Sequence, residues 1–139
     1  MRAVEISRFG GPEVLVVREK PAPALPDGGV RVKVRAAGVN FADIMMRIGL
    51  YPEAGKPPFV PGYEFAGEVV ARGAAVRKIP LGTLVTAQCV TACGQCEECR
   101  RGHLAFCPSW RQHPTGGFGQ FMTLPEREAY VLPPPLSLE

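Results

Sequence analysis

Residues 30–36, VRVKVRA, alternate Val30, Val32, Val34 and Ala36 with Arg31, Lys33 and Arg35, the period-two pattern of a strand with one face on a core. Residues 1–7 and 14–19 are β-branched runs separated by FGGPE, and a Gly-Gly-Pro turn between two such runs predicts a hairpin. A Pro-rich connection, KPAPALPDGG, leads from the hairpin to the strand at Val30 and reads as a surface loop of little freedom. Further strands are predicted over residues 64–71, bounded by Arg72-Gly73, over 81–90, and over 118–124. One segment changes period. In residues 41–48 the apolar Phe41, Ile44, Met45 and Ile48 fall at i, i+3, i+4 and i+7, which predicts a helix with those four on one face. Asn40 is a good N-cap for it and Gly49 closes it. The following YPEAGKPPFVPGYEF is an irregular loop suited to lining a cleft. The chain has no internal repeat.

Composition narrows the class. Gly 16 and Pro 15 in 139 residues, placed between short apolar runs, imply many turns and a mainly β chain of one domain. A net charge of +3 with scattered basic residues gives no nucleic-acid footprint. No apolar run approaches the roughly 20 residues that cross a bilayer, so no membrane partner is expected. The start MRAVEISRFG lacks the apolar core of an export signal, and with five cysteines in the chain this favours the cytoplasm.

Chemistry concentrates in CGQCEECRRGHLAFC, where Cys93, Cys96, Cys99 and Cys107 are spaced C-x2-C-x2-C-x7-C. Four thiolates complete a tetrahedral zinc site and leave no open position for a reacting water, so the metal is expected to be structural. The intervening Gln95, Glu97, Glu98, Arg100 and Arg101 cannot form a core, and coordination would define the lobe, residues 89–110, instead. The competing readings are two disulfides or unrelated buried thiols. Cys89, in an apolar run, reads as a core thiol outside the set. His103 and His113 read as surface side chains, and Trp110 as an apolar cover of the lobe.

No G-x-G-x-x-G follows a strand and opens a helix. The nearest run, Gly116-Gly117-Phe118-Gly119, leads into a strand. Taken in order, RFGGPEVL, RVKVRAAGVNFADIMMRIGLYP, PFVPGYEFAGEVV, the four-cysteine lobe and GGFGQFMTLP resemble the N-terminal, GroES-like catalytic domain of medium-chain dehydrogenase/reductases. The resemblance covers nearly the whole chain. Its body is most similar to the quinone oxidoreductase branch and its lobe to the zinc-containing alcohol dehydrogenases, an unusual mixture. It implies a mainly β fold: a GroES-like, partly open β-barrel with one or two short helices and a zinc-stapled lobe, residues 1–139 forming the substrate-side domain. The chain stops at LPPPLSLE, where family members pass into a Rossmann domain, so most of the NAD(P)H site is expected to lie outside it.

The resemblance also implies a site. Asn40 stands where the alcohol dehydrogenase branch has a Cys, and Gly62-Tyr63-Glu64 where it has Gly-His-Glu. Two metal ligands are therefore missing, and Glu64 alone does not supply the three that a catalytic zinc requires. A Gly-Asp-Arg-Val stretch frequent in the family is Gly82-Thr83-Leu84-Val85 here. Asn40 and Tyr51 match positions near the nicotinamide and substrate, making Asn40 both a catalytic and a cofactor-side candidate, and Tyr63 and Glu64 border the same region. Each has a plainer reading: Asn40 as a helix cap with Asp43 imitating a capping box, Tyr51 as a packed loop aromatic, Glu64 as a hydrogen-bonded strand residue. The implied activity is NAD(P)H-dependent reduction of small-molecule quinones or conjugated carbonyls (enones) with structural zinc alone. The alternatives are a truncated or engineered zinc-binding β-domain without catalysis of its own, or a fragment of a zinc alcohol dehydrogenase. Oligomerisation is left open.

Overall fold

The computed structural model describes residues 1–51, 54–87, 90–109, 111–112, 116–134, 136 and 138, with the backbone alone described at 90, 91, 111 and 112. The predicted hairpin is present: β1 (Arg2–Ile6) pairs antiparallel with β2 (Leu15–Glu19), Val4 opposite Val17. A single 3-10 turn, Pro12–Val14, separates them and sinks Val14 into the interior. The strand expected over 30–36 is the longest among the described residues, β3 (Gly29–Gly38), followed by α1 (Phe41–Ile48) and β4 (Glu64–Arg72). β5 (Leu84–Ala87) covers the middle of the run expected over 81–90, of which residues 88 and 89, with the Cys89 reading, lie outside the described residues. The lobe is flanked by β6 (Val90–Thr91) and β7 (Arg111–Gln112), which pair antiparallel, and contains the short helix α2 (Glu97–Arg100). β8 (Phe121–Pro125) starts three residues later than expected, and β9 (Ala129–Val131) was not predicted.

Five strands form one antiparallel sheet in the order β8-β3-β4-β5-β9. Its curl encloses a core of Val30, Val32, Phe65, Val69, Val85, Met122 and Leu124, closed by Val76 and Ile79 from the loop after β4. The alternation in β3 holds as far as Val34: Val30 and Val32 are fully buried, and Val34 packs against the same core between the exposed Lys33 and Arg35. Ladder irregularities lie between Arg31 and Val32 and between Val34 and Ala36, and an extra residue in one strand turns the following side chains to the other face. Ala36 is accordingly exposed. A second, smaller core joins Ile6, Val14, Met46 and Tyr63, with Ala42, Tyr51, Ala54 and Phe59 packed against it.

Helix α1 has the predicted bounds, and Gly49 ends it in the left-handed conformation (φ 81). The apolar stripe is not the face it buries most deeply. Met46 and Asp43 are the buried residues, whereas Phe41 is 72% exposed and Ile44 and Ile48 stand partly in solvent. The inward face is the one that carries Ala42, Asp43 and Met46: Met46 fills the small core, and the Asp43 carboxylate bonds the turn ahead of β4.

Candidate functional site

The buried Asp43 carboxylate accepts two backbone amides, that of Asn40 (2.9 Å) and that of Gly62 (3.0 Å). One oxygen closes the start of α1 and the other holds the turn ahead of β4, so Asn40 and Glu64 arrive at the same edge. Asn40 is the N-cap (φ −92°, ψ 156°), and its Nδ2 donates to Glu64 Oε2 at 2.7 Å. Asn40 thus stands at the start of the helix with its side chain turned to Glu64. Tyr51 meets Tyr63 edge to face, ring centroids 6.0 Å apart, a geometry favoured by the aromatic quadrupole. Tyr63 is a member of the small core, and Tyr51 packs against that core.

These residues surround a cleft of about 400 Å³ lined by Asn40, Ala42, Tyr51, Tyr63, Glu64, Thr86 and Ala87. All four predicted cleft residues are brought together. Thr86 was missed: it reaches the cleft only because β5 pairs with β4, Ala66 opposite Thr86, and its Oγ1 is bonded to the Phe65 carbonyl (2.9 Å). No local sequence signal distinguishes it from other strand threonines.

Gly62 cannot be replaced cheaply. Its φ is 109°, and a Cβ there would lie 2.5 Å from the Phe118 backbone nitrogen. This close approach lets the Gly62 carbonyl accept from Gly117 (3.0 Å) and the Pro61 carbonyl from Phe118 (3.1 Å), while Gly119 donates to the Gly116 carbonyl (3.0 Å). The amides of the Gly116-Gly117-Phe118-Gly119 run are therefore engaged within the protein. A dinucleotide pyrophosphate needs free amides at a helix N-terminus, and this run does not fit that role.

The lobe brings its four sulfurs together. Cys93 precedes α2, Cys96 caps it, Cys99 lies within it, and Cys107 follows a 3-10 turn, Leu104–Phe106. All four Sγ atoms lie within 4.8 Å of one another, with Cys93–Cys99 and Cys96–Cys107 each at 3.9 Å. Tetrahedral zinc with Zn–S bonds of roughly 2.3 Å sets sulfurs about 3.8 Å apart, so the cluster fits that ion, and none of the four cysteines is in a disulfide. Backbone amides point at the sulfurs: Cys96 N to Cys93 Sγ (3.3 Å), Cys99 N to Cys96 Sγ (3.4 Å) and Cys93 N to Cys107 Sγ (3.3 Å). Amide donors from Gln95 and Cys96 lower the Cys93 thiol to about 6, while desolvation and the neighbouring Cys96 thiol push Cys99 up to about 12. A divalent ion bound among the sulfurs would favour their thiolate form. His103 is on the surface as expected, 3.1 Å from Glu98. Trp110 and His113 lie outside the described residues. Among the described residues, the four cysteines are the one group of three or more His, Cys, Asp or Glu side chains that could hold a metal ion.

Comparison with known proteins agrees with this architecture. The family described as "Alcohol dehydrogenase GroES-like domain" matches residues 26–134, and the chain belongs to it. A quinone oxidoreductase-like protein 2 homolog from Nematostella vectensis is 43% identical over 99 residues, 70% of this chain and 27% of that protein. An alcohol dehydrogenase from Geobacillus stearothermophilus is 32% identical over 129 residues, 90% of this chain and 38% of that protein. Among solved structures, an NAD-dependent alcohol dehydrogenase superposes with a TM-score of 0.92 at 34% identity, covering all of this chain and 41% of the other. The chain thus spans less than half the length of the relatives it matches. Among the described residues no helix is long and apolar enough to cross a membrane.

Proposed function

We infer that the chain, residues 1–139 with the lobe at 89–110, is the substrate-side domain of an NAD(P)H-dependent oxidoreductase that reduces small quinones or enones. Zinc at Cys93, Cys96, Cys99 and Cys107 serves structure alone. The observation that carries this reading is the donor set of the cleft. Among the described residues it offers an amide, two phenols, a threonine hydroxyl and a single carboxylate already bonded to that amide, whereas a catalytic zinc takes about three protein ligands and an open position. Alcohol oxidation on such a metal depends on stabilising an alkoxide. A conjugated acceptor is already electrophilic, and hydrogen bonds suffice for its enolate.

A nicotinamide held by a further domain would supply the hydride. Asn40, Tyr51 and Tyr63 would then orient the acceptor and donate hydrogen bonds to the oxygen that gains charge, Glu64 would hold the Asn40 amide in place, and the final proton would be drawn from solvent. Val39, Phe41 and Leu50, neighbours in sequence of the cleft-lining Asn40, Ala42 and Tyr51, are 73%, 72% and 64% exposed. Apolar surface of this kind beside a cleft suits cover by another domain.

The test compares NADPH-dependent reduction of a small quinone with NAD(P)-dependent oxidation of primary alcohols, in the protein completed by its cofactor domain, before and after a chelator. Quinone reduction is expected to exceed alcohol oxidation and to fall roughly ten- to a hundredfold in Asn40→Ala or Tyr51→Phe. Efficient, chelator-sensitive alcohol oxidation would overturn the reading.

A further inference from the structure

Gly38 ends β3 directly opposite Glu64, the first residue of β4. Its backbone is outside the left-handed region, so conformational freedom does not explain it, and glycine in a strand weakens the strand. The atoms around it suggest another reason. A Cβ at position 38 would lie 2.6 Å from Glu64 Oε2 and 2.9 Å from Glu64 Cδ. The glutamate side chain is folded across the space that any other residue would fill, and from there Oε2 accepts from Asn40 Nδ2 at 2.7 Å.

We propose that Gly38 is a positioning residue of the cleft: its missing side chain seats the Glu64 carboxylate on the Asn40 amide, holding the charge to one wall. Calling that cleft the substrate site rests on the function proposed above; the seating itself does not. The contrast with other glycines makes the role separable from folding. At Gly62 and Gly67 an added Cβ would meet backbone, the Phe118 nitrogen at 2.5 Å and the Lys33 carbonyl at 2.2 Å. At Gly38 the three nearest atoms all belong to one flexible glutamate side chain. Alanine is therefore compatible with the fold but not with the present place of the carboxylate, which must swing off Asn40.

The experiment is Gly38→Ala, alone and combined with Glu64→Gln. In the 139-residue chain, a crystal structure and the NMR signals of the Asn40 side-chain amide are expected to show the contact with residue 64 broken, with an unchanged or slightly raised melting temperature. In the protein completed by its cofactor domain, quinone reduction is expected to fall roughly tenfold in Gly38→Ala. It should fall no further when that change is added to Glu64→Gln, because both act on one group. A carboxylate still bonded to Asn40 in Gly38→Ala overturns the proposal, as does an equal loss of activity with or without Glu64. If no quinone or enone is reduced, the function proposed above fails, and the Asn40 signals still decide the role of Gly38.

Discussion

Asp43 sits at a junction that neither the helix nor the strand could make alone. Its two oxygens satisfy the Asn40 and Gly62 amides from within the interior, and a buried donor left without a partner costs about 1–3 kcal/mol. Asp43→Ala is thus expected to lower unfolding free energy by at least that amount in urea titrations, while Asn40→Ala, which removes a bond to the exposed Glu64, should cost much less. Equal costs would show that the cap, not the buried carboxylate, organises this corner. Asn40, Tyr51, Tyr63 and Glu64 were legible in the chain by resemblance to family positions. Thr86 and the seating of Glu64 over Gly38 were not, because both depend on which strands lie side by side.

At the scale of elements, α1 and the lobe illustrate opposite situations. The period of α1 located the helix, yet its Phe41 and Ile48 face outward, since hydrophobic spacing reports an apolar stripe without saying what covers it. The lobe has spacing that specifies its own chemistry. Metal analysis is expected to return about one zinc per chain, as a closed four-thiolate site requires. Cys96→Ser should release that zinc and loosen residues near α2, leaving the sheet folded, because among the described residues the core around Val32, Val69 and Val85 contains none from the lobe. Hydrogen exchange resolves the two regions; loss of protection throughout β3 and β4 would contradict the separation.

For the molecule as a whole, the engaged amides of the Gly116–Gly119 run predict that the chain alone binds NADPH no tighter than millimolar. Calorimetric titration checks this, and micromolar binding would require a pyrophosphate site that the described backbone does not offer. A second expectation concerns acid stability. The Glu126 carboxylate accepts the consecutive amides of Arg77, Lys78 and Ile79, binding the end of β8 to the loop that supplies Val76 and Ile79 to the core. Those amides, that of Lys78 foremost, hold its carboxyl below the ordinary 4.5. Because the folded value is the lower one, the stabilisation is complete above about 4.5 and is lost as pH falls through the depressed folded value. Glu126→Gln should therefore be less stable than the parent at neutral pH and should show a shallower loss of stability in acid, read from melting temperature against pH. An unchanged acid slope would remove Glu126 from the account.

The hairpin of β1 and β2, the long strand β3, the bounds of α1 and the four-thiolate cluster were all determined by the sequence itself. Each rests on local information: a two- or 3.6-residue period, a turn signal, a cap or a ligand spacing. Tertiary structure alone decided which face of α1 is buried, that Ala36 turns outward past an irregularity in the ladder, and that Val76 and Ile79 leave a loop to close the core. It also decided that a glycine at the end of β3 faces a glutamate 26 positions further along. These are contacts between segments far apart in the chain, and their energies depend on partners that no single stretch of residues contains.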